Sequence, residues 1–328
     1  MGNKPAYQAI EIDEALDGVE FISKQEEATL LKNLTYFDRR FDYRFGKPLL
    51  YRNPNNFILA KIKHKFLDYD TFLFYLEKYQ FRESLSNNYL MKILFLYTTR
   101  VLDLMTQKYI INLVIQYPYN DLKNEINARI IDGQEFTEYE LMKILRAGVS
   151  SLYYMQSQGY GYQFVLNQHS VCFFEKPNGK QSVQILEFSN LENESFNAEP
   201  DFNELYQSNC RYLAIILIEA GLLLNKMLIY ENVSEFFLLR SLDDFSTKYK
   251  NNSTLVTIVD QFMRPNCKLT LDQAYQMVFD KRSIESQRYI FENNKIIINE
   301  KIKRTSKIDA EKLKLALLKK NSRSMKQI

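Results

Sequence analysis

The chain has 328 residues, 46% of them hydrophobic and 25% charged, enough for one large domain or two small ones with a sizeable core. Cys172, Cys210 and Cys267 stand far apart with no CxxC pair, and His64 and His169 are the two imidazoles, which excludes a zinc knuckle, a disulfide framework and a multi-histidine metal site. The net charge of +3 is uneven: residues 281–328 hold fourteen Lys or Arg against five Asp or Glu, a balance of +9 that leaves −6 on residues 1–280.

In chain order, residues 1–33 are polar and mixed, with no sustained apolar face, and read as an N-terminal arm. No basic n-region followed by an apolar h-region opens them, so a secretory signal is not expected. Loss of Met1 would expose Gly2, but Ala6 replaces the Ser or Thr of the stricter pattern, which leaves N-myristoylation at Gly2 a weak expectation. From Phe37 to Lys63, short alternating segments broken by Gly46, Pro48 and Asn53–Pro54 predict strands joined by turns, clearest over 57–63. Residues 70–83 predict an amphipathic helix, and Leu90–Tyr97 and Tyr109–Tyr117 two further strands.

Beyond Pro118 the pattern turns to long helices. Thr137 and Glu140 have capping-box spacing, in which each side chain bonds the other residue's free backbone N–H, and Gly159 supplies a stop. The β-type runs 170–174 and 182–188 flank a Lys-Pro-Asn-Gly-Lys turn and predict a hairpin. Helices are expected at 209–224, at 253–264 and after Thr270. The run Tyr212–Leu224 is the most hydrophobic, yet it contains Glu219 and is followed at once by Asn225 and Lys226, so it reads as a helix buried in a core rather than a transmembrane segment.

A β-rich lobe with one helix, a tyrosine-flanked connector and a helical lobe containing a hairpin follow one another as they do in protein kinases, and residues 35–280 resemble that superfamily. Ala60-Lys61-Ile62-Lys63 looks like its VAIK strand, with Lys61 or Lys63 in the place of the phosphate-binding lysine and Glu77 as the helix partner. Ile115-Gln116-Tyr117 is similar to the hinge, Leu186-Glu187-Phe188-Ser189 sits where the DFG motif belongs, and Ala198-Glu199-Pro200 resembles APE. Asn209 stands in the place of the buried aspartate of the long central helix, and Met263–Thr270 resembles the segment before the final helices. The resemblance implies an α+β, two-lobed protein-kinase-like fold: an N-lobe over 34–117, a C-lobe over 118–280, and a basic tail over 281–328.

Phosphoryl transfer needs cradled phosphates, metal ions held by an Asp and an Asn, and a carboxylate to accept the proton of the attacking hydroxyl. The best alignment of the catalytic loop puts Phe164 at the base and His169 at the metal-binding Asn, and 160–174 contains no Asp or Glu in any register. Glu187 keeps the charge of the DFG aspartate but moves it outward by one methylene. Only Gly18 and Gly46 occur in the fifty residues up to Ala60, so no glycine-rich loop exists, and eight residues, 190–197, are too few for the usual activation segment.

The sequence therefore predicts a degenerate member, a pseudokinase that is not an enzyme and acts as a protein-binding scaffold in a multi-subunit assembly. No cofactor is expected, ATP with Mg²⁺ being doubtful. Two other readings stand beside it: a nucleotide-binding sensor, and a divergent active Ser/Thr-type kinase with a base recruited from Glu175 or Asp201. The tail clusters lysines with Leu313, Leu315, Leu317 and Leu318, and Asp309 could begin a basic amphipathic helix suited to an acidic surface. The body carries no base-reading motif, so sequence-specific nucleic acid is not expected. The expected setting is cytoplasmic, with a cytoskeletal or ciliary assembly as its most specific form.

Overall fold

The computed structural model describes residues 19–39, 41–42, 44–103, 106–175, 181–187, 201–226, 228, 234–250, 253–264 and 269–279. Compactness sets Met1–Val278 apart from Phe279–Ile328, and of the latter only Phe279 is described, so the basic tail lies outside the description. So do Gly2, the hairpin turn 176–180, and residues 188–200 with Phe188 and the APE-like triplet.

The first lobe is an antiparallel sheet of β1 (Thr35–Arg39), β2 (Leu49–Arg52), β3 (Ile58–Phe66), β4 (Ile93–Asp103) and β5 (Thr106–Gln116) in the order β1-β2-β3-β5-β4. Helix α2 (Tyr69–Ser84) crosses one face, started by Asp68, whose carboxylate accepts from Thr71 N at 2.7 Å. Between them lies a core built from alternate strand positions, Ala60, Ile62, Ile111 and Leu113, and from Phe72, Tyr75, Leu76 and Tyr79 of the helix. Each of the Ile, Leu and Phe side chains among them, fully buried, contributes roughly 1.5–3 kcal/mol.

The arm is not featureless. Val19 packs against that core and Phe21 enters it, stacking on Phe72 at 5.8 Å, while Ile22 N donates to Thr98 O of β4 at 2.9 Å. A capping box of Ser23 and Glu26 then starts α1 (Lys24–Leu30). The segment is too short to show an apolar period, yet Phe21 in the core, the Ile22–Thr98 backbone bond and the bonds of Lys61 and Tyr97 to Glu27 dock it on the sheet.

The second lobe begins with β6 (Asn120–Asp121) and α3 (Leu122–Asp132), and its centre is α4 (Glu138–Ser157) packed on α5 (Phe202–Gly221). The Thr137–Glu140 capping box forms as its spacing predicts, and Gly159, at φ 73°, follows the end of α4. Strands β7 (Val171–Glu175) and β8 (Gln181–Ile185) form the expected hairpin arms, and β7 pairs with β6. The helix expected from 209 instead begins at Phe202: Asp201 caps it, accepting from Asn203 N at 2.7 Å, and Leu205 and Tyr206 extend its buried face toward the N-terminus. Asn209 therefore lies inside the helix. Helices α6 (Glu235–Lys248), α7 (Ser253–Met263) and α8 (Leu271–Val278) complete the lobe. Among the described residues no helix is long and apolar enough to cross a membrane.

Candidate functional site: the cleft between the lobes

Strand β3 decides the fate of the lysines. Side chains alternate along a strand, and Ala60 and Ile62 face the core under α2, so Lys61 and Lys63 belong to the opposite face. There Lys61 forms an ion pair with Glu27 of α1, with its ammonium 5.5 Å from the Tyr97 ring. Tyr97 donates its hydroxyl to the same Glu27 oxygen at 2.6 Å. Burial works to raise the Glu27 pKa, but the bonds from Lys61 and Tyr97 outweigh it and hold the carboxyl below its ordinary value. Lys63 is exposed. Glu77, expected as the partner of Lys61 or Lys63, is exposed on α2, outside the face defined by Phe72, Tyr75, Leu76 and Tyr79, and Lys61 pairs with Glu27.

Beside its aromatic and aliphatic side chains, α2 buries two cations. Lys78 and Arg82, one helical turn apart, are both buried. Lys78 Nζ donates to Gln163 O at 3.3 Å and lies 5.6 Å from the Tyr75 ring. Its charge, added to burial, holds His64 neutral, with a pKa lowered to about 3; the imidazole stacks on Tyr79 at 5.3 Å. Arg82 reaches across to Glu187, pairing with its carboxylate through Nε and bonding Met91 O through Nη2. Both members of the Arg82–Glu187 pair are fully shielded from water. The carboxylate expected in the DFG position is therefore paired with the protein's own guanidinium.

The catalytic-loop positions are apolar or already bonded. Phe164 is buried, with the Tyr160 and Tyr206 rings each 6.1 Å away. Asn209 fixes the loop backbone, donating to Phe164 O at 3.2 Å and accepting from Leu166 N at 3.0 Å, a structural task that needs no charge. His169 sets Nδ1 3.0 Å from Asp121 Oδ2. Of the acids considered as recruited bases, Asp201 caps α5 and Glu175 is exposed at the end of β7.

The segment between β1 and β2, where a nucleotide-binding lobe would place its phosphate-cradling loop, turns into the cleft instead. Asp42 and Gly46 exchange two backbone hydrogen bonds of 2.7 Å, a closure for which Gly46 adopts φ 71°. The turn projects Arg44 inward, where it grips Asp42 with Nη2 at 2.7 Å and Nε at 3.0 Å. The guanidinium lies 5.4 Å from the ring of Tyr117, the expected hinge residue, and that hydroxyl donates to Asp42 Oδ2 at 2.7 Å. On the far side Arg44 approaches Asp121 at 3.7 Å and Cys172 Sγ at 4.0 Å, both in the second lobe. Burial disfavours the Asp42 carboxylate, but the Arg44 bonds more than offset this and lower its pKa, while burial pushes the Cys172 thiol up to about 12. With Phe45 packed into the core beside it, this loop occupies the space between hinge, β7 and the Asp121 cap. Asp42, Arg44 and Glu27 were not singled out by the sequence pattern; Arg82 carried a signal in its place on the apolar stripe of α2, and Asp121 in Asn120-Asp121-Leu122, which is similar to the stretch that opens the helical lobe of kinases.

No family model matches the sequence, and no curated protein matches it. Solved structures do. The kinase domain of PknI from Mycobacterium tuberculosis superposes with a TM-score of 0.50 at 11% identity, over 75% of this chain and 94% of that one. The fold is that of a protein kinase. The PAN3 pseudokinase of Neurospora crassa gives 0.52 at 11% identity over 80% of this chain and 64% of that one, and a mutant of it 0.52 at 12% over 85% and 74%. Likeness at this identity shows a kinase-like fold and says nothing about activity. In kinase-like terms, β1–β5 with α2 form the N-lobe and α3–α8 the C-lobe, as the order of elements implied.

Proposed function

We propose that the chain is a pseudokinase that transfers no phosphate and serves as a scaffold for protein partners. The observation that carries this reading is the Asp42–Arg44 pair seated in the inter-lobe cleft, where it joins the hinge Tyr117 to Asp121 and Cys172 of the C-lobe. A nucleotide would have to displace a buried, bidentate ion pair and leave Asp42 and Asp121 facing its phosphates. Three further features support it: Phe164 at the base position, Glu187 held by Arg82, and a β3 strand whose inward positions are Ala60 and Ile62. The scaffold's partners are proteins, and the basic 281–328 segment suits an acidic surface within a cytoplasmic assembly, cytoskeletal or ciliary.

Thermal unfolding with ATP, with and without Mg²⁺, tests the reading. A ligand held only by the folded form would add about 2.7 kcal/mol at a hundredfold excess over its dissociation constant. No shift is expected for the native chain. A shift without phosphate release would make the protein a nucleotide sensor, and turnover abolished by Glu187→Ala would make it an enzyme.

A further inference from the structure

In a two-lobed fold the connector between the lobes is the natural hinge, and a hinge has to absorb changes in φ and ψ. The connector here is Tyr117-Pro118-Tyr119, and its two tyrosines are tied to different lobes. Tyr117 N donates to Ile58 O of β3 at 2.9 Å, and its hydroxyl donates to Asp42 of the β1–β2 turn at 2.7 Å. Tyr119 N donates to Phe173 O of β7 at 3.2 Å, and the next two residues pair with the same strand as β6. Between these anchors stands Pro118, buried and with its φ fixed by its own ring. The one residue left to turn is thus of the type least able to.

Further ties cross the seam. Phe45 of the β1–β2 turn belongs to one buried cluster with Leu50 and Ala60 of the N-lobe and with Cys172, Phe174 and Leu186 of the C-lobe, so a single apolar core spans both lobes. The 85–91 connection between α2 and β4 is bonded to the second lobe at both ends. Ser86 N donates to the Tyr154 hydroxyl of α4 at 3.1 Å, and Tyr89 O accepts from Ser151 Oγ at 2.8 Å. Ile185 N of β8 donates to Tyr89 O at 2.7 Å and its carbonyl accepts from Met91 N at 2.9 Å. Arg82–Glu187 and the Lys78 bond to Gln163 O add two links from α2. Parting the lobes would wet the shared apolar core and break these bonds together.

We propose that the two lobes form one rigid body whose cleft does not open and close. A partner then meets a surface of fixed geometry drawn from both lobes, and binding is not switched by a lobe movement. The use of that surface rests on the scaffold reading; the rigidity rests on the connector and the seam alone. Distances between spin labels in the full chain, measured without nucleotide, test it. Labels at the exposed positions Lys65→Cys of β3 and Ser208→Cys of α5 report on the two lobes, and Ala128→Cys of α3 with Ser208→Cys gives the width within one lobe, each with Cys267→Ser. The inter-lobe distribution should have one maximum and be no wider than the reference. A wider distribution, or two maxima, overturns the rigidity and leaves the pseudokinase reading to the thermal test with ATP. Should a labelled chain fail to fold, calorimetry of the native chain decides: one transition with equal calorimetric and van't Hoff enthalpies supports a single body, and two separable transitions overturn it.

Discussion

Two ion pairs, each joining a cation of the kinase-like N-lobe to a glutamate far away in sequence, do opposite work. Arg82–Glu187 has both side chains at 0% exposure and links α2 to the end of the hairpin; Lys61–Glu27 has side chains at 3% and 21% and holds α1 on the outer face of the sheet. The first cancels the charge of Glu187, which the sequence resemblance sets in the place of the DFG aspartate. The second spends the β3 lysine on an arm. The kinase-like packing tolerates both exchanges, because sheet, α2, α4 and α5 are held by apolar side chains that neither pair disturbs. Burial then sets how much each pair matters, since a deeply buried partner left alone cannot recover its hydration.

The largest effect is expected at the buried pair. Arg82→Ala leaves the Glu187 carboxylate desolvated and Met91 O without its donor, at a cost of about 3–5 kcal/mol. Denaturant melts should recover most of that in Arg82→Met with Glu187→Met, where no charge is stranded. A single-variant loss under about 1 kcal/mol would put the pair in the surface class and end the comparison. At the outer pair, Lys61→Met leaves Glu27 bonded to Tyr97 and partly hydrated, and should cost about 1–2 kcal/mol. Lys63→Met should stay within about 0.5 kcal/mol. Neither lysine variant should alter the response to ATP; a nucleotide effect confined to one of them would restore the phosphate-ligand reading of that residue.

These pairs show where the sequence was legible and where it was not. The Thr137–Glu140 box, α2, the two hairpin strands and α7 follow from local pattern, and the structure places them within a few residues of their expected bounds. The outward turn of the lysines was also written in the strand: Lys61, Lys63 and Lys65 alternate with Ala60, Ile62 and Phe66. Pairing Lys61 with Glu77 followed family spacing, whereas the faces of β3 and α2 argued against it. Arg82 lies three residues after Tyr79 on the apolar stripe, but a cation there reads as snorkelling until a carboxylate 105 residues away is seen to meet it. Asp42 and Arg44 sit in a turn without periodicity, and their partners Tyr117, Asp121 and Cys172 come together only in the folded chain.

A third pair extends the series toward water and gives the smallest effect. Arg129 and Glu140 have side chains at 15% and 34% exposure, joined by bonds of 2.7 and 3.2 Å, and Glu140 also accepts from Thr137 N at 2.8 Å. Burial works to raise the Glu140 pKa, but the Arg129 and Thr137 bonds prevail and lower it to about 2. The folded state therefore binds this proton less readily than the unfolded chain, so its contribution is complete above about 4.5 and is lost as pH falls toward about 2. Water and salt screen a pair this exposed, which limits the contribution to roughly 0.2–1 kcal/mol. Glu140→Gln should accordingly flatten the acid limb of the stability curve by that amount and leave the limb above pH 5 unchanged. If the acid limb instead survives in Glu140→Gln, other carboxylates carry it, with Asp42 and Glu27, both held low by their partners, the next to substitute.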